Sequence, residues 1–200
     1  MGQVLFAPEL FNPILRGVGN WRTFAAVVDA SGHGDYTQVD QAIDAGATVI
    51  FVKPGTYSKF TADVANLFIM GSGRGTLISG GVAGHAVAVS AADVTLMNLA
   101  AQTTAGGGQN YDAFNVSART NLIGCVAVNS DRYGFSFEGT GDDSLMVGCR
   151  VIASDDDGVL IDLDCENCII AGNRIAGWNN EAIDDNSGTS VTANLNDETV

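Results

Sequence analysis

Asn121-Leu122-Ile123-Gly124-Cys125-Val126-Ala127 is followed, at a fixed spacing of 24 residues, by Leu145-Met146-Val147-Gly148-Cys149-Arg150-Val151 and then by Ile169-Ile170-Ala171-Gly172-Asn173-Arg174-Ile175. Ile123, Val147 and Ala171 share one column, Cys125, Cys149 and Asn173 a second, and Ala127, Val151 and Ile175 a third. A second apolar segment follows in each row, where Phe135, Val159 and Ile183 align, then Phe137, Ile161 and Asp185. Between the segments, Ser130-Asp131-Arg132-Tyr133-Gly134 lies over Ser154-Asp155-Asp156-Asp157-Gly158 and over Trp178-Asn179-Asn180-Glu181-Ala182. A period shared by this many columns is the mark of a solenoid. Short alternating apolar segments broken by Gly, Asn and Asp are strand-and-turn chemistry, and no row is helical enough to supply a βαβ crossover.

Stacking such rows about 4.8 Å apart gives in-register parallel strands. The expected fold is all-β: a right-handed parallel β-helix of about five or six coils with a short N-terminal capping helix. Two earlier rows fit with small length changes. Leu67–Met70 lies 27 residues before Val94–Met97, and His85–Val89 lies 27 before Asp112–Val116. Inside the coil, Phe114, Phe135, Val159 and Ile183 form an apolar spine. Asn98, Cys125, Cys149 and Asn173 form a second inward column at a bend, where Asn bonds exposed backbone and Cys fills the same small volume. Ala105-Gly106-Gly107-Gly108-Gln109-Asn110 is an insertion within one coil and projects as a loop.

Two hundred residues, 46% hydrophobic and 16% charged, with 25 Gly, suit one β-rich domain with many turns. The net charge of −14 repels phosphate backbones, so nucleic acid is not an expected partner. No apolar run is long enough to span a membrane. The opening Met1–Leu10 lacks the basic and long apolar regions of a secretory leader, which fits either use without classical export or a leader already removed. Cys165-x-x-Cys168 has no second pair and no His at metal spacing, since His33 and His85 lie far upstream. Buried thiols acting as small hydrophobes account better for all four cysteines.

Ahead of the coils, Val27–Ala30 reads as a strand, Gly32-His33-Gly34 as a turn, and Thr37 as the N-cap of a short helix with Val39, Ala42 and Ile43 on one face. That helix would cover the open end of the stack. Thr48–Tyr57 is a strand ended by a Pro54-Gly55 turn. With Gly71-Ser72-Gly73-Arg74-Gly75-Thr76-Leu77-Ile78-Ser79-Gly80, these segments resemble the pectin lyase-like superfamily, and the pectinesterases most closely. The resemblance covers roughly residues 27–100 and specifies the start of a β-helix more than a chemistry.

In pectinesterases, paired aspartates serve as general acid and nucleophile beside oxyanion-hole glutamines and a supporting arginine. This chain departs from those motifs. Its nearest counterparts are Ser130–Phe135 and Asp156–Ile161, without convincing glutamines. Should the chain be an enzyme, Asp131 and Asp157 are the expected catalytic residues, in turns where Asp131 stacks on Asp155 and Tyr133 on Asp157. No cofactor is expected. Calcium is the alternative, with Asp155, Asp156 and Asp157 beside Asn179, Asn180 and Glu181 offering hard oxygen ligands.

Two function classes follow. The first is a non-enzymatic structural or adhesive subunit of a virus particle: a bacteriophage spike, fibre or capsid-decoration protein that also binds glycan. Its location is the virion, or otherwise extracellular. Residues 1–24 hold Leu5, Phe6, Leu10, Phe11, Ile14, Leu15 and Trp21 with only three charges. They read as an arm that docks on other structural subunits, ahead of a single β-helix domain at 25–200. A homo-oligomer is expected, a trimer by resemblance to phage β-helical spikes. The second class is a carbohydrate esterase or lyase acting on acidic polysaccharide. The expected ligand-contacting residues are Asp131, Arg132, Tyr133, Asp155, Asp156, Trp178, Asn179 and Glu181, with Tyr111 a further stacking candidate.

Overall fold

The computed structural model describes residues 25–81, 84–103, 110–187, 192–194 and 196–199. The expected arm, from Leu5 to Trp21, and most of the glycine-rich insertion lie outside the described residues. The chain forms an all-β parallel β-solenoid of about seven turns with almost no helix.

β1 (Ala25–Val28) pairs in parallel with β2 (Val49–Val52), and the six-residue helix α1 (Val39–Asp44) lies between them in the chain. β2, β3 (Gly55–Ser58) and β4 (Phe60–Ala62) make the next turn. The long strands β5 (Phe68–Ser79) and β7 (Val94–Gln102) each pair along two sides of the stack, and β6 (Val87–Val89) and β8 (Phe114–Ala118) complete their turns. The repeating rows then supply three short strands apiece. These are β9 (Thr120–Ile123), β10 (Val126–Ala127) and β11 (Phe135–Thr140), then β12 (Leu145–Val147), β13 (Arg150–Val151) and β14 (Val159–Ile161). β15 (Ile169–Ala171), β16 (Arg174–Ala176) and β17 (Ile183–Asp185) follow. Last come β18 (Thr192–Asn194) and β19 (Asp197–Thr199). Three walls result: β2-β5-β7-β9-β12-β15-β18, β3-β5-β7-β10-β13-β16-β19 and β4-β6-β8-β11-β14-β17.

Each wall buries one ladder. Ile50, Ile69, Leu96, Leu122, Met146 and Ile170 stack inside the first wall, all fully buried. The expected spine of Phe114, Phe135, Val159 and Ile183 lines the third, and the two Phe rings stack at 4.7 Å with 9° between their planes. Aligned apolar columns at strand spacing exclude water from the whole length of the coil.

Four expectations change in detail. The turns number about seven rather than five or six, because the irregular early rows and the chain end also join the stack. The C-terminal segment, which reads as only one weak final strand, contributes β18 and β19, paired on β15 and β16. Backbone pairing there needs no apolar pattern. The helix takes Gln38, not Thr37, as its N-cap. The Gln41 carboxamide oxygen accepts from the Thr37 hydroxyl at 3.1 Å, and Val39, Ala42 and Ile43 are buried as expected.

The fourth change is one residue of register. Asn98 is exposed at φ 52°, and Leu99, fully buried, takes the inward place beside Cys125. Asn98, Gly124, Gly148 and Gly172 all have φ between 52° and 63°, so this corner of four successive turns is a left-handed residue. Asn and Gly are the residue types that adopt this conformation readily. The next residue turns inward. Cys125 Sγ donates to Leu96 O at 3.5 Å, Cys149 Sγ to Leu122 O at 3.4 Å, and Asn173 Nδ2 to Met146 O at 3.1 Å. Asn and Cys thus play the interchangeable role expected of them. All four cysteines are free and buried. Burial pushes the Cys165 thiol up to about 12 and raises Cys168 as well, so both are neutral thiols.

Candidate functional site

Outward positions on the third wall should be wet, yet Asn115 and Ser136, side by side on β8 and β11, are buried. A polar network covers them. Asp112, just ahead of β8, is fully buried and accepts a two-pronged bond from Arg132, Nε to Oδ1 and Nη2 to Oδ2, each 2.8 Å. Ser136 Oγ donates to Asp112 Oδ2 at 2.7 Å, Asn115 Nδ2 donates to the same oxygen at 3.2 Å, and the Tyr133 N–H reaches Oδ1 at 3.3 Å. Arg132 Nη2 also bonds Glu138 at 3.0 Å, and its guanidinium stacks 4.3 Å above the Tyr133 ring. A fork of this kind is the strongest protein hydrogen-bond pair and fixes direction as well as distance.

His85 closes the other side. Its Nδ1 accepts the Asp112 N–H at 3.0 Å and stands 3.2 Å from Asp112 Oδ2, while Tyr111 meets the ring edge-on at 5.7 Å. Accepting at Nδ1 places the proton of the neutral ring on Nε2. Burial is the largest single influence on Asp112 and works to raise its pKa. The Arg132 fork, with Ser136, outweighs it and holds the carboxyl at about 2. Burial likewise opposes the Arg132 charge, but Asp112 and Glu138 hold its pKa above the ordinary value. The pair is therefore ionised throughout the neutral range. Beside it, His85, Lys59 and Thr61 face Asp40, Ile43 and Asp44 of α1 across a cavity of about 450 Å³.

The acidic turns lie next in the stack. Ser130 bridges Ser154, Asp155 N donates to Ser130 O at 3.0 Å, and Gly134 N to Asp157 O at 3.3 Å. Asp131 therefore stacks on Asp155 and Tyr133 on Asp157, as the repeat predicts. Asp131 and Asp157 fall in different columns. The Asp131 N–H bonds Thr103 Oγ1 at 2.8 Å. Asp157 is buried, and its Oδ1 accepts from Asn180 Nδ2 at 2.9 Å and Glu181 N at 2.8 Å. Burial raises its pKa, helped by the charges of Asp156 and Asp184.

Asp155 is exposed, and its carbonyl accepts from Asn179 Nδ2 at 3.1 Å. Trp178 is half-buried against the core, and Glu181 is exposed. Among the described residues, no three Asp, Glu, His or Cys side chains converge in an arrangement suited to a metal ion.

Of the expected ligand residues, Arg132 and Tyr133 enter the Asp112 network, whereas Asp155, Asp156, Trp178, Asn179 and Glu181 belong to the neighbouring turns. Asp112, His85, Asn115, Ser136 and Glu138 join the network without standing out in the sequence. The signal was present in the row alignment. His85–Val89 lies over Asp112–Val116, so His85 and Asp112 share a column, and Tyr133 continues it one turn later. The chain matches no protein-family model and no curated protein.

Proposed function

We propose that this chain is a non-enzymatic structural or adhesive subunit of a virus particle, a bacteriophage spike, fibre or capsid-decoration protein, and that its third wall contacts surface glycan. The observation that carries the reading is the saturation of Asp112. Its carboxylate is fully buried beneath donors from Arg132, Ser136, Asn115 and the Tyr133 backbone, and it is held at about 2. Such a group moves no proton at neutral pH. It serves instead as a strut that fixes Arg132 and Tyr133 beside Tyr111 and the adjoining cavity. Half-exposed aromatic faces next to fixed polar groups suit a saccharide, whose ring faces are apolar and whose edges are hydroxyls.

The enzymatic reading, a polysaccharide esterase or lyase, draws on one observation, the upward shift of the Asp157 carboxyl. A binding and turnover assay on acidic and neutral polysaccharides separates the two. Affinity weakened several-fold by Tyr133→Ala and unchanged by Asp131→Asn and Asp157→Asn supports the adhesive role. Turnover abolished by either aspartate substitution would replace it with catalysis.

A further inference from the structure

Beyond that reading, and independent of it, we propose that the outer surface of the first wall is a docking face for a second copy of this chain, with the two β-helices packed antiparallel about a two-fold axis. Phe51, Met70, Met97, Ile123, Val147 and Ala171 form one outward ladder in unbroken register from β2 to β15. Beside it runs Val49, Phe68, Thr95, Asn121, Leu145 and Ile169. Among the described residues of this wall, no outward position between Val49 and Ala171 is charged, in a chain with nine Lys+Arg and 23 Asp+Glu. Phe51 and Ile169, near opposite ends, are 40% and 47% exposed.

Six rungs extend about 24 Å along the stack, and two outward positions span about 7 Å of strand before side chains widen the strip. The resulting apolar strip, on the order of several hundred Å², is as large as the biggest patch on most monomers and is a fitting centre for an interface of about 800 Å² per partner.

The identity of the occupant follows from charge and from register. Two bodies of −14 repel one another across most surfaces, and the uncharged wall is where they approach at least electrostatic cost. A two-fold interface sets the same patch against itself. With the axis along the strands, between β7 and β9, each ladder faces itself with the rung order reversed. Phe51 then meets the partner's Ala171, Met70 meets Val147, and Met97 meets Ile123, large against small at the ends. Thr95 meets Asn121, the polar rungs of the strip, which already hydrogen-bond within one chain at 3.3 Å. Packing with the helices parallel would instead set Thr95 on Met97 and Asn121 on Ile123, polar on apolar.

The test is sedimentation velocity on the full chain across a concentration series, with Ile123→Glu as the disrupting variant and Thr56→Glu, on the exposed side of the second wall, as the control. Ile123→Glu should raise the dimer Kd by about a hundredfold or more, the scale of burying an unpaired charge. The control should leave it unchanged, with both variants retaining the parent's circular dichroism. Orientation is read by a second variant, Phe51→Cys with Ala171→Cys, expected to oxidise to a covalent dimer while Phe51→Cys alone does not. A full chain that remains monomeric overturns the proposal, as does assembly that survives Ile123→Glu. A dimer that forms but fails to cross-link overturns the antiparallel arrangement. A monomer that still binds glycan would leave the third-wall reading standing.

Discussion

On the first wall the outward ladder from Phe51 to Ala171 is apolar, uncharged and partly open to solvent. The matching outward positions of the third wall, Asn115 and Ser136, are polar and sealed beneath Asp112 and Arg132. Both walls bury an inward ladder of the same kind. Stacking at strand spacing constrains only the side chains that point inward; those that point outward are free to differ from wall to wall. The first wall therefore has the character of an interface awaiting a partner. The third, at Asn115 and Ser136, has completed its polar contacts within the chain around the buried Asp112–Arg132 pair.

That contrast is most exposed by removing the Asp112 charge. Asp112→Asn takes away the partner of Arg132 beneath the covering loops, and the expected loss is about 3 kcal/mol, at the low end for a broken buried pair because Arg132 keeps Glu138. Ile123→Glu, outward on the first wall, should change the stability of the isolated chain by well under about 1 kcal/mol. Denaturant unfolding of both variants measures the difference. Equal losses would mean that the third wall is no more a core than the first.

A smaller effect of the same origin should appear on acidification. Asp112 is held at about 2 against an ordinary 3.8, so its contribution is present above the ordinary value and is lost as pH falls from there through the folded value. The shift amounts to about 2 kcal/mol. An acid titration of the Tm should show this loss in the parent. In Asp112→Asn the slope over that interval should flatten, because no carboxylate remains there to protonate.

Corners give a third measure, smaller again, because they belong to neither wall. Gly148 has φ 63° with open space where a Cβ would stand, so Gly148→Ala costs about 1 kcal/mol from backbone conformation alone. Gly148→Asn should cost less, since Asn98 already holds the equivalent corner at φ 52°. Thermal unfolding of the pair checks the order, and equal costs would show that the corner selects only against a side chain.

These elements also show how far the sequence could be read. Where the period is strictly 24, from Asn121 to Asp185, strands, register and the inward Cys149–Asn173 column all follow from the rows. Between β7 and β9 the spacing is 26, one short of the 27 that would set Asn98 beside Cys125, so the inward column at the bend runs through Leu99 instead. A left-handed corner and an inward polar residue look alike in a one-dimensional pattern. Terminal rungs such as Asp197–Thr199 pair through the backbone without an apolar signature, so the rows alone give too few coils. Arg132 and Tyr133 were legible as unusual turn residues. Asp112 shares a column with His85 in the rows, but its burial is not legible, because it depends on Arg132 reaching back from the following turn.

The smallest expected effect has the opposite sign. Asp157 is buried and its pKa is raised, first by burial and then by the neighbouring Asp156 and Asp184 charges. A carboxyl raised on folding contributes stability below its ordinary value and loses it as pH rises through the folded one, so at neutral pH its charge works against the fold. Asp157→Asn removes that charge and keeps an oxygen where Asn180 Nδ2 and Glu181 N donate. The Tm at neutral pH should rise slightly, by less than about 1 kcal/mol in stability, and the gain should vanish in acid. Asp112→Asn shows a deficit under the same neutral conditions. Two buried aspartates a few rungs apart on one stack thus respond oppositely to the same chemical change, because one has an arginine fork and the other has only neutral donors. A fall in Tm at neutral pH on Asp157→Asn would mean that the ladder bonds to Asn180 and Glu181 need the full carboxylate charge. The acidic turns would then belong with the Asp112 network.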